Sequence, residues 1–328
     1  MVNPGIKMDY SRIKNITPPV LDFIREWNCS NKISAYTSGS TGKPKAIQLD
    51  RNDMIASAKM TNAFLGIDAG SVLAMPLSPE YIAGKMMIVR SLVAECELHI
   101  SEPSLDPLTG FESLEKIDLI PIVPAQLPAL LAHGNSFGRI GNVIIGGAPL
   151  SYDQEKAVAE SGLNAYATYG MTETCSHVAL RKIGKDSFYT ALPGYSFSTD
   201  SRGCLVIKSN QMSFKTLVTN DCVEILSDTQ FRWLGRADNV INTGGIKVFP
   251  EKIEAQLAPL IKNRAFYITG RPSDRWGTEI VIVIEGSGFD KDHFFKQASE
   301  ILPSRLLPKA IVEKEEIPRT SSGKIKRL

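Results

Sequence analysis

The sequence predicts an α/β fold in two parts: a large domain of mixed sheets with flanking helices over residues 1–234, and a smaller mobile α+β domain over 235–328. Three observations carry that prediction. Apolar runs of strand length alternate with segments of helical period along most of the chain, the pattern of a largely parallel sheet with helices on its faces. The texture changes at Gly235-Arg236-Ala237-Asp238-Asn239, a short polar stretch that reads as a hinge. A length of 328 residues is enough for two domains that each bury a core.

The elements follow in order. Ile33-Ser34-Ala35-Tyr36-Thr37 reads as a strand running into a Ser/Thr/Gly loop that ends at Lys45. Asp50 is placed to cap a helix whose Met54, Ile55, Ala58 and Leu65 share a face. Residues 84–94 are apolar almost throughout and predict a buried helix. Residues 117–123 predict a strand, 125–133 a helix, and 142–145 another strand. Past the hinge, a helix is expected over 251–260, a strand at Ile280-Val281-Ile282-Val283-Ile284, a helix over 291–302 and a strand at 310–312.

Composition excludes several classes. With 37 Lys+Arg against 35 Asp+Glu, a net charge of +2 leaves no broad footprint for nucleic acid or an anionic membrane. No apolar run reaches the length of about 18 residues that insertion into a membrane needs. The N-terminus lacks a signal-peptide pattern, and Cys29, Cys96, Cys175, Cys204 and Cys222 form no C-x-x-C pair, so a reduced cytoplasmic enzyme is expected.

Five segments carry chemistry. Tyr36-Thr37-Ser38-Gly39-Ser40-Thr41-Gly42-Lys43-Pro44-Lys45 combines two glycines, four hydroxyls and two lysines, so its N–H groups can converge on a polyphosphate. Only Ser40 and Thr41 separate Gly39 from Gly42-Lys43, which is not the Walker spacing. In Tyr166-Ala167-Thr168-Tyr169-Gly170-Met171-Thr172-Glu173-Thr174, a ring suits a base, Thr172 a phosphate and Glu173 a Mg²⁺ ion. The same string also fits an ordinary turn into a helix. Val143-Ile144-Ile145-Gly146-Gly147-Ala148-Pro149 ends a strand in small residues, where a flat ring can approach the backbone at the carboxyl edge of a sheet. The fourth segment runs from Gly235 through Asn242-Thr243-Gly244-Gly245-Ile246-Lys247. The fifth is Ile317-Pro318-Arg319-Thr320-Ser321-Ser322-Gly323-Lys324-Ile325-Lys326-Arg327, a second hydroxyl/Gly/Lys cluster.

Together, and in this order, the five segments resemble the adenylate-forming family of acyl-CoA synthetases, luciferases and carrier-protein adenylation domains. The resemblance covers nearly the whole chain from Tyr36 to Arg327. Softer stretches, Tyr81-Ile82-Ala83-Gly84, Val123-Pro124-Ala125-Gln126-Leu127 and Thr172-Glu173-Thr174-Cys175-Ser176, are most similar to the branch that joins o-succinylbenzoate to CoA in menaquinone biosynthesis.

The resemblance implies ATP, Mg²⁺ and CoA as co-reactants of a small carboxylic acid. It implies that Thr37, Ser38, Gly39, Ser40, Thr41, Gly42, Lys43 and Lys45 clamp the outer phosphates of ATP. Gly146, Gly147, Ala148 and Tyr169 would form the adenine slot and Gly170 and Met171 would also bind ATP, with Thr172 on the α-phosphate and Glu173 on the metal. Asp221 would hold the ribose, with Asn220 before it in place of the usual glycine, and Arg236 would add a ribose or phosphate contact. Asp238 would be the hinge, Gly244 and Gly245 the wall of the pantetheine tunnel, and Lys324 the group that neutralises charge during adenylation. Tyr81, where many relatives place histidine, would line the acyl pocket with Gly84, Met86 and Met87, and Lys85 or Arg90 would receive a second carboxylate. Met at helical spacing equally suits a core helix. Only 35 residues precede the phosphate loop, so this is a short N-terminal form, and the sequence leaves a homo-oligomer open.

Other readings are weaker. Gly134-Asn135-Ser136-Phe137-Gly138 matches a hydrolase elbow, but helix and strand are expected in the reverse order. Cys175 and His177, two apart, would not meet as nucleophile and base, and the four histidines make no metal-ligand pattern. A nucleotide-binding protein without catalysis is disfavoured by Glu173 and Lys324 together. A carrier-protein adenylating enzyme is disfavoured by Gly244-Gly245 and the lack of an attached carrier.

Overall fold

The computed structural model describes residues 9–36, 46–261, 264–319 and 325–327; the phosphate loop from Thr37 to Lys45 and Lys324 lie outside the described residues. By internal contacts the chain divides into two compact units. One comprises Met1–Pro149, Gln154–Ser196 and Lys208–Thr216, the other Leu150–Asp153, Phe197–Ile207 and Leu217–Leu328.

In chain order the first part contains β1 (Ile13–Lys14), α1 (Pro18–Cys29), β2 (Lys32–Tyr36), β3 (Ala46–Asp50), α2 (Arg51–Leu65), β4 (Val72–Met75), α3 (Ile82–Ala94) and β5 (Glu97–Ile100). Then come β6 (Ile117–Ile122), α4 (Leu127–Ala132), β7 (Ile140–Ile145), α5 (Tyr152–Ser161), β8 (Ala165–Gly170), β9 (His177–Lys182) and β10 (Tyr189–Ala191). Strand order in the first unit is β1-β5-β4-β6-β7-β8-β9-β10. The pairs as far as β7–β8 are parallel, and β8–β9 and β9–β10 are antiparallel. This is the mixed α/β sheet the alternation predicts. Strand β6 is buried almost end to end and β7 over residues 143–145, as expected where helices cover both faces.

The predicted helix start at Asp50 is observed: its carboxylate accepts from the Asn52 N–H at 2.8 Å, and the helix closes on Gly66 at φ +69°. Met54, Ala58 and Leu65 are buried on one face. Helix α3 is almost wholly buried and presses against the preceding loop. A Cβ on Gly84 would stand 2.3 Å from the Ser78 carbonyl oxygen, so only glycine permits that approach. Gly84→Ala is expected to destabilise the fold by about 1–3 kcal/mol, read as a lower urea midpoint at unchanged slope.

The second part contains β11 (Tyr195–Thr199), β12 (Cys204–Ser209), β13 (Thr216–Ser227), β14 (Gln230–Arg236), β15 (Ile241–Thr243), β16 (Ile246–Val248), α6 (Pro250–Leu257), β17 (Phe266–Ser273), β18 (Gly277–Glu285), α7 (Lys291–Ile301) and β19 (Ala310–Lys314). Strand β18 carries the apolar run and lies between β17 and β19, with Ile280, Ile282 and Ile284 packed on Ile253, Leu257, Phe294 and Ala298 of the two helices. Strands β13 and β14 form an antiparallel hairpin with a bulge: Val223 pairs with Trp233 but Cys222 with Gly235, leaving Leu234 as an extra residue.

Candidate active site

In the first unit, the carboxyl ends of β7 and β8 bring two of the predicted segments side by side. The strands pair in parallel with Ile145 opposite Ala167, so Gly146-Gly147-Ala148 and Tyr169-Gly170-Met171 emerge at one edge. Gly146 has no room for a side chain: a Cβ would lie 2.6 Å from Thr168 Oγ1. Gly147 turns the chain at φ +87°. A Cβ on Gly170 would stand 2.4 Å from the Ser176 carbonyl oxygen, so the return strand crosses close beneath it.

The turn after β8 is a single 3₁₀ stretch, Thr172–Thr174. Thr174 staples it from inside: its hydroxyl accepts from the Met171 N–H at 3.0 Å and reaches the Ser176 carbonyl at 2.7 Å. Cys175 then leaves the turn at φ +63°. Because Thr174 satisfies the backbone, Thr172 and Glu173 need not. Glu173 is exposed, and among the described residues no hydrogen bond or ion pair engages its carboxylate. An exposed, unengaged carboxylate suits a hard cation that keeps several waters. Among the described residues no cluster of three His, Cys, Asp or Glu makes a protein-only metal site.

The Tyr169 ring meets the half-buried Tyr189 ring at 5.8 Å, and Arg181 lies over Tyr189 while also pairing with Glu155. No sequence signal pointed to Tyr189 or Arg181.

The proposed acyl-pocket residues separate in the structure. Tyr81 is exposed. Lys85 is buried and engaged: it pairs with Glu26 at 3.2 Å, donates to the Ser34 carbonyl at 2.8 Å and lies over Phe23. Burial pushes the Glu26 carboxyl up, but the Ser34 N–H and Lys85 outweigh it and hold it below its ordinary value. Met86 and Met87 are fully buried, in keeping with the core-helix reading that their spacing equally allows.

Arg90 differs from Lys85. It is only 2% exposed, yet among the described residues no carboxylate pairs with it. Its Nη2 donates to Ser176 Oγ at 2.7 Å, Nη1 reaches Met87 Sδ at 3.5 Å, and Nε has no partner there. Burial pushes its pKa down to about 10. Ser176 also lies 3.4 Å from His177 Nδ1, and Thr61 Oγ1 is 3.2 Å from His177 Nε2.

Burial first, then the Arg90 charge, hold the His177 pKa well below 6.5, so His177 folds neutral. A base with a depressed folded-state pKa takes up its proton in the unfolded chain first. Stability is therefore held above pH 6.5 and lost as pH falls through it. The melting midpoint is expected to drop between about pH 6.5 and 5, and less so in His177→Asn. Cys175 is no nucleophile: burial pushes its thiol up to about 12.

In the second unit, Asp221 is buried and faces two donors from β14. Trp233 Nε1 lies 3.3 Å and Arg236 Nη1 3.5 Å from its Oδ1, and Arg236 also pairs with Asp238 at 3.2 Å. Gly235, at φ +148°, lets the Glu251 carboxylate in where a Cβ would stand 2.2 Å away. Gly244 and Gly245 turn at φ +53° and +79°, with Trp276 over Gly244. Near the C-terminus, Arg319 bridges Ile325, and Arg327 clamps both Glu254 oxygens and donates to the Ile268 carbonyl at 2.9 Å. The stretch Thr320-Ser321-Ser322-Gly323-Lys324 between them lies outside the described residues.

A family model described as AMP-binding enzyme matches residues 33–199, half of the chain, and spans the edge built by β7 and β8. The chain belongs to the AMP-binding enzyme family, the adenylate-forming enzymes. It is 25% identical to a 2-succinylbenzoate–CoA ligase of Listeria monocytogenes, over 98% of this chain and 74% of that one. It is also 25% identical to a feruloyl-CoA synthase of Amycolatopsis, over 88% of this chain and 67% of the other. A crystal structure of an acyl-CoA synthetase (AMP-forming)/AMP-acid ligase II-like protein from Dyadobacter fermentans is 34% identical with a TM-score of 0.64. That match covers 96% of this chain and 94% of the Dyadobacter chain, so the two are of similar length. The two curated relatives are acid–thiol ligases by name.

Proposed function

We propose that the chain is an ATP-dependent acid–CoA ligase that converts o-succinylbenzoate to o-succinylbenzoyl-CoA. The acid's carboxylate attacks the α-phosphate of ATP, forming the acyl-adenylate and expelling diphosphate. The thiol of CoA then attacks the adenylate carbonyl, and AMP leaves. Glu173 would hold a Mg²⁺ ion, which when bound would supply positive charge to the phosphates. Thr172 donates to the α-phosphate, Tyr169 with Gly146, Gly147 and Ala148 receives adenine, and Asp221 and Arg236 bind the ribose. The loop from Thr37 to Lys45 grips the outer phosphates. Residues 235–328 act as a lid turning at Asp238, which brings Lys324 for the first step and Gly244-Gly245 for the second. The setting is the cytoplasm, in keeping with five unbridged thiols.

The observation that carries the choice of acid is Arg90. A buried guanidinium is costly without an anion, and a substrate with a second, unreacting carboxylate supplies one. The test is diphosphate release with o-succinylbenzoate, benzoate and a medium-chain fatty acid, with and without CoA. Turnover strongest with o-succinylbenzoate and dependent on CoA is expected. Stronger turnover with either monocarboxylate overturns the assignment of the acid while keeping the ligase, and acyl transfer to a phosphopantetheinyl carrier in place of CoA overturns the acceptor.

A further inference from the structure

We propose that Trp233 is a positioning residue of the nucleotide site, holding the Asp221 carboxylate in the orientation that takes the ribose hydroxyls. The inference rests on the reading of Asp221 as the ribose acid. It starts from the parity of the β13–β14 hairpin. Side chains on a strand alternate between faces, so Trp233 and Arg236, three apart, would point to opposite faces of a regular ladder. Here they do not. Trp233 pairs with Val223 and Arg236 with Asp221, and Val223 and Asp221 share a face. Leu234 is the unpaired residue, and Gly235 at φ +148° provides the backbone for it.

The bulge therefore sets an indole and a guanidinium on one side of Asp221, at 3.3 and 3.5 Å from the same oxygen, Oδ1. The two donors are unequal anchors. Arg236 is shared with Asp238 at 3.2 Å, and its side chain is 41% exposed, so solvent and a second carboxylate compete for it. Trp233 has one N–H, and its ring is partly buried. An indole N–H can only donate, so it gives Asp221 Oδ1 a single directed hydrogen bond. From the other side, the Asp221 N–H donates to Thr219 Oγ1 at 3.1 Å, which fixes the backbone beneath the carboxylate. With backbone and Oδ1 both held, the carboxylate meets ribose with its rotamer already set, and the ordering cost is not charged to binding.

The test compares ATP with 2′,3′-dideoxy-ATP in the diphosphate-release assay. Trp233→Phe keeps an aromatic ring at the position and removes the N–H. It is expected to raise KM for ATP about tenfold, the effect of one hydrogen bond to a charged group, leaving KM for dideoxy-ATP and for the acid unchanged. In an Asp221→Asn background the same substitution is expected to add nothing to the loss of ATP preference. An equal rise of KM for both nucleotides, or a full additional effect in Asp221→Asn, overturns the inference. Asp221→Asn that keeps its preference for ATP overturns the ribose reading itself, so the two failures are distinct. An independent measurement needs no variant beyond assignment: the chain has three tryptophans, and the Trp233 indole cross-peak is expected to shift when AMP is added to the ¹⁵N-labelled wild type. No shift at saturating AMP overturns the proposal.

Discussion

Lys324→Ala is expected to slow adenylate formation by about 10²–10³-fold while leaving thioester formation from preformed acyl-adenylate nearly intact. The reason is electrostatic. When a carboxylate meets an α-phosphate two anions approach, and charge grows on the phosphoryl oxygens at the transition state. A lysine aimed there stabilises the transition state more than the ground state, so kcat falls rather than KM rising alone. Thiol attack on a carbonyl has no such demand. Purified acyl-adenylate and CoA, followed by thioester absorbance, isolate the second step, and diphosphate release isolates the first. Equal losses in both would show that Lys324 serves the fold or binding in general.

Arg90→Met should leave the protein folded and remove its preference for a dicarboxylate. A buried charge with no acid partner contributes little to stability, and an apolar side chain of similar volume is often neutral or stabilising in its place. The melting midpoint is expected to stay level or rise. The KM for o-succinylbenzoate is expected to rise about 30-fold or more, as when one partner of a buried ion pair is removed, while that for benzoate stays put. Arg90 is only 2% exposed, so screening by solvent does not dilute the effect. A parallel loss for both acids would mean that the guanidinium only braces Ser176. Unfolding would mean that the arginine fills space methionine cannot.

What could be seen in the sequence was what depends on near neighbours. The Asp50 cap is satisfied two residues on, by Asn52. Strand β18 holds a continuous apolar run, Ile280-Val281-Ile282-Val283-Ile284, so burial on both faces could be read directly. The parallel pairing that sets Gly146 beside Thr168 follows once the alternation of strand and helix is granted. Distant pairings could not be seen. Arg90 and Ser176 are 86 residues apart, and Lys85 and Glu26 are 59 apart, so nothing local told which cation was already engaged. Methionines at helical spacing read equally as pocket or core, and their burial is a property of the folded chain that spacing alone does not carry. The strands between His177 and Arg236 drew no prediction because they are short or mix polar and apolar residues on both faces. Trp233 was missed because a spacing of three on a strand argues against a shared face.

The bulge at Leu234 also bears on how this hairpin tolerates changes of length. The hairpin counts in twos, and between Trp233 and Arg236 the count is odd. Deleting Leu234 makes the spacing even, so both side chains still face Asp221 across a plain ladder. Replacing Gly235 by a residue that resists φ +148° pushes the strand towards the plain ladder with the extra residue still in it, and Arg236 turns to the other side. A gap at this point in a comparison of related chains is therefore a conservative event, whereas a filled Gly235 is a radical one, the reverse of what residue counting suggests.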